Sequence, residues 1–152
     1  MVRGKSGQYT FLWQGCPEGI HGVGVLVSEE FVDRIVEVKR MSERLMIVKL
    51  VIGECLMNVI SGYAPQVGRS QVEKDEFWNA VYDLVGRLKN EEMVVLGGDL
   101  NGHVGQESDG YEGVHGGFGY GVRNVEGEKI LEFGDAMEMI VCGTQFRRMR
   151  IS

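Results

Sequence analysis

Three side chains have types and spacing suited to chemistry: Tyr63, Asp99 and Asn101. Asp99 and Asn101 lie in the stretch Met93–Gly105, which reads M-V-V-L-G-G-D-L-N-G-H-V-G. A carboxylate can accept a proton from water or hold that water aimed, and a carboxamide can donate to an anionic oxygen. If the backbone stays extended, residues two apart point to the same face, with Leu100 turned back into the core. The pair would then make half of a phosphoester-cleaving site. The same letters also spell a turn, because Asx side chains bond their own backbone and glycine tolerates positive φ. The local chemistry leaves both readings open. Tyr63 stands in Gly62-Tyr63-Ala64-Pro65, at the end of a strand that Pro65 stops. Its phenol either packs or reaches out with the hydroxyl.

The elements that must hold these residues follow from the apolar pattern. Met93–Leu96 suits a short buried strand, broken by Gly97 and Gly98, where another group can approach the backbone closely. Arg44–Ile52 and Cys55–Ser61 are apolar runs separated by Gly53-Glu54, which predicts an antiparallel hairpin. Between that hairpin and the Asp99 strand, Ser70-Gln71-Val72-Glu73 forms a capping box. Phe77, Trp78, Val81, Leu84, Val85 and Leu88 then mark one face of a helix ended by Asn90-Glu91-Glu92.

Upstream, residues 1–9 read as a polar loop, Thr10–Trp13 as a short strand and Gly22–Val27 as a buried strand. Phe31–Val38 alternates partly and would pair with that strand. Downstream, Gly105–Gly121 is too long and glycine-rich for regular structure; nine of the 23 glycines fall between Gly102 and Gly127. Its Tyr111, Phe118 and Tyr120 either stack on bases or anchor the loop. Asn124 can cap a helix from about Glu126 to Met137 that buries Ile130, Leu131, Phe133 and Met137. Met139–Cys142 reads as a last buried strand.

The 152 residues suffice for one domain with a sizeable core, and 43% apolar with 25% charged residues is ordinary for a globular protein. No apolar run approaches the roughly 20 residues of a membrane span, and no signal-peptide pattern opens the chain. The expected location is intracellular, nuclear or cytoplasmic, with no membrane partner. A net charge of −6 argues against coating nucleic acid by bulk electrostatics, and the basic cluster Arg147, Arg148 and Arg150 lies at the very end. Cys16, Cys55 and Cys142 lack metal-ligand spacing, and the three histidines do not pair with them. Cys55 and Cys142 read as small buried apolar residues. Strands that come first as hairpins and then alternate with helices suit mixed sheets with helices outside.

Taken together, Gly62–Pro65 and Gly97–Gly105 resemble the endonuclease/exonuclease/phosphatase superfamily. Tyr63–Gly68, Lys74–Trp78 and Ser108–Gly121 narrow the resemblance to the endonuclease domains of RTE-type retrotransposons and the family of craniofacial development protein 2. It runs from about Tyr9 to Phe146. The resemblance implies an α/β (α+β) fold, a four-layer α/β/β/α sandwich with mixed sheets, here incomplete. It implies a single partial domain over 1–152, truncated at both ends. The implied reaction is Mg²⁺- or Mn²⁺-dependent hydrolysis of a DNA phosphodiester by an in-line water, with no small-molecule cofactor. In it Asp99 would orient or deprotonate the water, Asn101 would hold the scissile phosphate, and Tyr63 would donate its hydroxyl to that phosphate. His21, His103 and His115 match no catalytic position and keep a structural or loop reading.

The resemblance also places the family's metal-holding Glu and an earlier Asn ahead of Met1, and its late Asp and closing Ser-Asp-His beyond Ser152. A hard divalent cation needs several oxygen ligands, so Asp99 alone would hold it poorly. Edge strands and core faces would be left bare. Two readings follow: a retrotransposon-type endonuclease by descent, or a catalytically inactive remnant acting as a binding or structural module.

Overall fold

The computed structural model describes residues 3–6, in backbone only, and 9–146. The expectations for residues 1, 2, 7 and 8, and the cluster Arg147, Arg148 and Arg150, fall outside the described residues. The chain divides into two compact units, Met1–Pro65 with Arg69–Asp99, and Gln66–Gly68 with Leu100–Ser152.

The first unit holds two sheets. In one, β1 (Arg3–Ser6), β2 (Tyr9–Gly15) and β3 (Gly22–Ser28) run antiparallel in that order. The other has the order β4 (Ile35–Ser42), β5 (Leu45–Ile52), β6 (Cys55–Tyr63), β7 (Met93–Asp99). Its first two pairings are antiparallel and β6–β7 is parallel, so this sheet is mixed, within the α/β class expected. Leu12, Val23 and Val27 of the first sheet join Met46, Val48 and Leu50 of the second in one core. Strand β5 is buried on both faces, Leu45 and Ile47 included, as its continuous apolar run requires.

Helix α1 is short (Glu29–Val32), and α2 (Gln71–Gly86) begins at the capping box that the sequence predicts. Ser70 Oγ accepts from Glu73 N–H, and Glu73 returns a bond to Ser70 N–H. The Ser70 hydroxyl also donates to the Glu73 carboxylate at 3.1 Å, and this bond, followed by that from Ser70 N–H, holds the carboxyl below its usual range. Phe77, Val81, Leu84 and Val85 form the buried stripe of α2, and Trp78 packs edge-on against Phe77.

Several expectations are corrected. Residues 3–6 are a strand, not a loop, because backbone pairing to β2 needs no apolar periodicity. The partial alternation of Phe31–Val38 combines α1 with β4, divided at Asp33-Arg34, and β4 pairs with β5 rather than β3. Helix α2 stops at Gly86, four residues before Asn90, where glycine disfavours helix. Strand β7 is half-exposed rather than buried, with Met93 at 50% and Val95 at 45% exposure, because it is the terminal strand of its sheet. On the outer face of the first sheet Tyr9, Phe11, Trp13 and Leu26 are exposed as well.

In the second unit, α3 (Val125–Ala136) starts at Asn124, whose side chain accepts from Gly127 N–H. It buries Leu131 and Phe133, with Gly134 lying against Val114, while Ile130 and Met137 are half-buried. Met139–Cys142 forms no strand: Glu138 turns at φ 53°, Val141 N–H bonds Val114 O, and Cys142–Thr144 makes a 3-10 turn. A four-residue apolar run is a strand only if a neighbour pairs with it. Cys55 and Cys142 are exposed, not buried, since both sit at turns. Among the described residues, no helix is long and apolar enough to cross a membrane.

Candidate active site

Parallel pairing sets the geometry around Tyr63 and Asp99. The register Gly62↔Gly98, Tyr63↔Asp99 makes them partners on the last rung of β6–β7. Register partners in a sheet share a face, so both side chains leave the carboxyl ends of adjacent parallel strands on one side. Ala64 N–H donates to Asp99 O at 2.9 Å and closes that end. Gly98 makes the close approach possible: its φ is 130°, and a Cβ there would run into the carbonyl oxygen of Gly62.

Tyr63 is half-buried, its ring against the intersheet core. No hydrogen bond from its hydroxyl to another described residue exists, so the phenol tip is left to solvent or ligand. Arg44 sits opposite it in the β5–β6 hairpin. Tyr63 N–H donates to Arg44 O at 2.9 Å, Arg44 Nη1 donates to Tyr63 O at 3.3 Å, and the guanidinium lies 5.2 Å from the ring centroid. The ring of His21 lies 6.0 Å from that of Tyr63, tilted by 46°. His21 Nδ1 lies 3.9 Å from Cys16 Sγ and 3.8 Å from Glu43 Oε1. Cys16 Sγ also accepts from the N–H groups of Ile20 and His21, so this pair folds the β2–β3 turn.

The strand ends at Asp99, so the extended-backbone argument for Asn101 does not hold. Asn101 has φ 51°, a left-handed conformation that asparagine tolerates. It lies in the second unit, where the segment after it is pinned from α3. His103 N–H donates to Asn124 Oδ1, and Asn124 N–H donates to His103 O. Gly102 and Gly127 are required there, since a Cβ on Gly102 would meet Glu126, and one on Gly127 the His103 carbonyl.

The glycine-rich stretch is fixed by side chains rather than by secondary structure. Arg123 donates to the carbonyls of Val104, Glu107 and Ser108 at 3.0, 2.9 and 2.7 Å. It also pairs with Glu128 and lies over the Tyr111 ring. Tyr111 donates to Glu128 at 2.8 Å, and that bond leads the causes that raise its phenol above the usual range. This supports anchoring for Tyr111, whereas Phe118 and Tyr120 are 47% and 71% exposed. His115 is buried: Gly117 N–H donates to its Nδ1, so Nε2 carries the proton and donates to Gly105 O. That is the structural role expected of it.

Arg44 and Arg123 were not singled out by the residue pattern. For Arg44 a signal exists, since counting outward from Ile52↔Cys55 across the hairpin places it opposite Tyr63. Arg123 gives none, because its partners are carbonyls of an irregular loop. For a metal, no group of three or more His, Cys, Asp or Glu side chains is placed to hold one among the described residues. A divalent ion that takes six or more oxygens does not fit this donor set.

No protein-family profile matches the chain. Among curated proteins it is similar to craniofacial development protein 2 of Bos taurus, 23% identical over 128 residues, 84% of this chain and 21% of that protein. The chain therefore spans about a fifth of the length of the relative it matches.

Proposed function

We propose that this chain carries part of a phosphodiester-hydrolysing site of the endonuclease/exonuclease/phosphatase type, acting on DNA and descended from a retrotransposon endonuclease. The observation that supports it is the Tyr63–Asp99 rung, with a phenol hydroxyl unengaged by protein beside a carboxylate. Ligands of open α/β sheets bind outside the carboxyl ends of parallel strands, where this rung lies. The distant similarity to craniofacial development protein 2 supports the family part of this reading. In this reading Asp99 orients the attacking water and accepts its proton. Tyr63 donates its hydroxyl to a phosphate oxygen, and Asn101 keeps the phosphate-holding role that the resemblance implies.

The donor set favours a second reading, a DNA-binding module without hydrolysis. Divalent-metal chemistry belongs to the proposed ancestry, yet the described residues do not form a cage for the ion. Incubating the purified chain with supercoiled plasmid and Mg²⁺ or Mn²⁺, beside Asp99→Ala, separates the two. Nicking that vanishes in the variant supports hydrolysis; plasmid binding without nicking in either supports the binding module.

A further inference from the structure

We propose that Arg44 is a phosphate-contacting residue that also positions Tyr63, so that guanidinium and phenol together receive one phosphodiester group of DNA. This rests on the functional reading above and extends it to a residue that the resemblance did not assign. A guanidinium has five N–H groups, and Arg44 spends one, on Tyr63 O. None of its nitrogens is a buried orphan, and no ion pair with a carboxylate neutralises it among the described residues. The nearby Glu73 carboxylate feels the Arg44 charge without making an ion pair with it, so the remaining donors keep the planar fork that suits a phosphate.

Position supplies the rest. The two backbone bonds to Tyr63 and the stacking at 5.2 Å fix the cation against the ring whose hydroxyl is unengaged by protein. Side-chain entropy is thus largely spent before a ligand arrives, which favours binding. Other arginines differ: Arg69 and Arg87 pair with Glu73 and Asp83, and Arg123 is consumed by its loop.

The test uses the whole chain in EDTA, a fluorescent single-stranded DNA oligonucleotide, and anisotropy titrations at several salt concentrations. Arg44→Gln and Arg44→Ala should weaken binding about tenfold and lower the slope of log affinity against log salt by about one. Arg44→Lys should keep the slope while binding less tightly, because it keeps the charge and loses the fork. Arg87→Gln, which removes the same charge from the surface of the same unit, is the control and should leave both unchanged. A role confined to packing Tyr63 would lower thermal stability without moving the slope. Unchanged slope and affinity in both Arg44→Gln and Arg44→Ala would overturn the proposal, as would failure of the wild-type chain to bind. Plasmid nicking is scored separately, so hydrolysis sensitive to Asp99→Ala can stand even if Arg44 is dismissed.

Discussion

Tyr63 and Asp99 meet as register partners on the final rung of a parallel ladder, and the next amide, of Ala64, closes that rung onto the Asp99 carbonyl. A phenol and a carboxylate far apart in sequence are thereby held at one strand end by backbone pairing alone.

That closeness depends on Gly98. With φ at 130° and the Gly62 carbonyl where a Cβ would stand, Gly98→Ala must displace β7 from β6. The expected cost is at least about 2 kcal/mol, read as a lower urea midpoint with an unchanged m-value. Gly97→Ala, which meets nothing within 4 Å, should cost far less.

Asn124 caps α3 and grips His103 with the same oxygen. Asn124→Ala should lower stability by about 1 kcal/mol, the usual loss for such a cap. It should also speed hydrogen exchange at the His103 amide, while Asn124→Asp keeps the acceptor oxygen that serves both donors and should be nearly silent.

Glu92 accepts from Lys49 and from the buried Asn58, each at 2.8 Å, and these bonds hold its carboxyl below the ordinary glutamate value. A depressed folded-state value contributes stability that is present above the unfolded value and lost as pH falls through the folded one. Stability should therefore decline on acidification below the ordinary glutamate value of 4.5. Glu92→Gln should be less stable at pH 7 and show a shallower acid limb in urea melts taken across pH 3–7, a range set by that linkage.

Arg123 is the fastening of the glycine-rich loop. Its carbonyl contacts span Val104 to Ser108, so Arg123→Ala should expose that segment to limited proteolysis, with cleavage there rising about tenfold by the local-opening argument. Arg123→Lys should not rescue it, because one ammonium cannot span carbonyls that a planar fork reaches.

Local rules made much of this legible. The Gly53-Glu54 turn and its flanking runs specify the β5–β6 hairpin, and Ser70–Glu73 and Asn124 specify both helix starts. The edge position of β7 was hidden, since M-V-V-L reads alike in a central or terminal strand and strand order is settled by distant pairing. The conformation of Asn101 was hidden for a related reason: nothing in G-G-D-L-N-G says that the strand ends at Asp99. Arg44 became visible only through the hairpin register, which turns a charge at a strand start into a neighbour of Tyr63.

The central claim is that Tyr63, Asp99 and Asn101 serve phosphodiester hydrolysis. The most direct measurement is plasmid nicking in Mg²⁺ by the purified protein, beside Asp99→Ala and Asn101→Ala. Nicking should fall at least about a hundredfold in each variant, the usual loss when such a group is removed. Normal nicking with both changes present would contradict it.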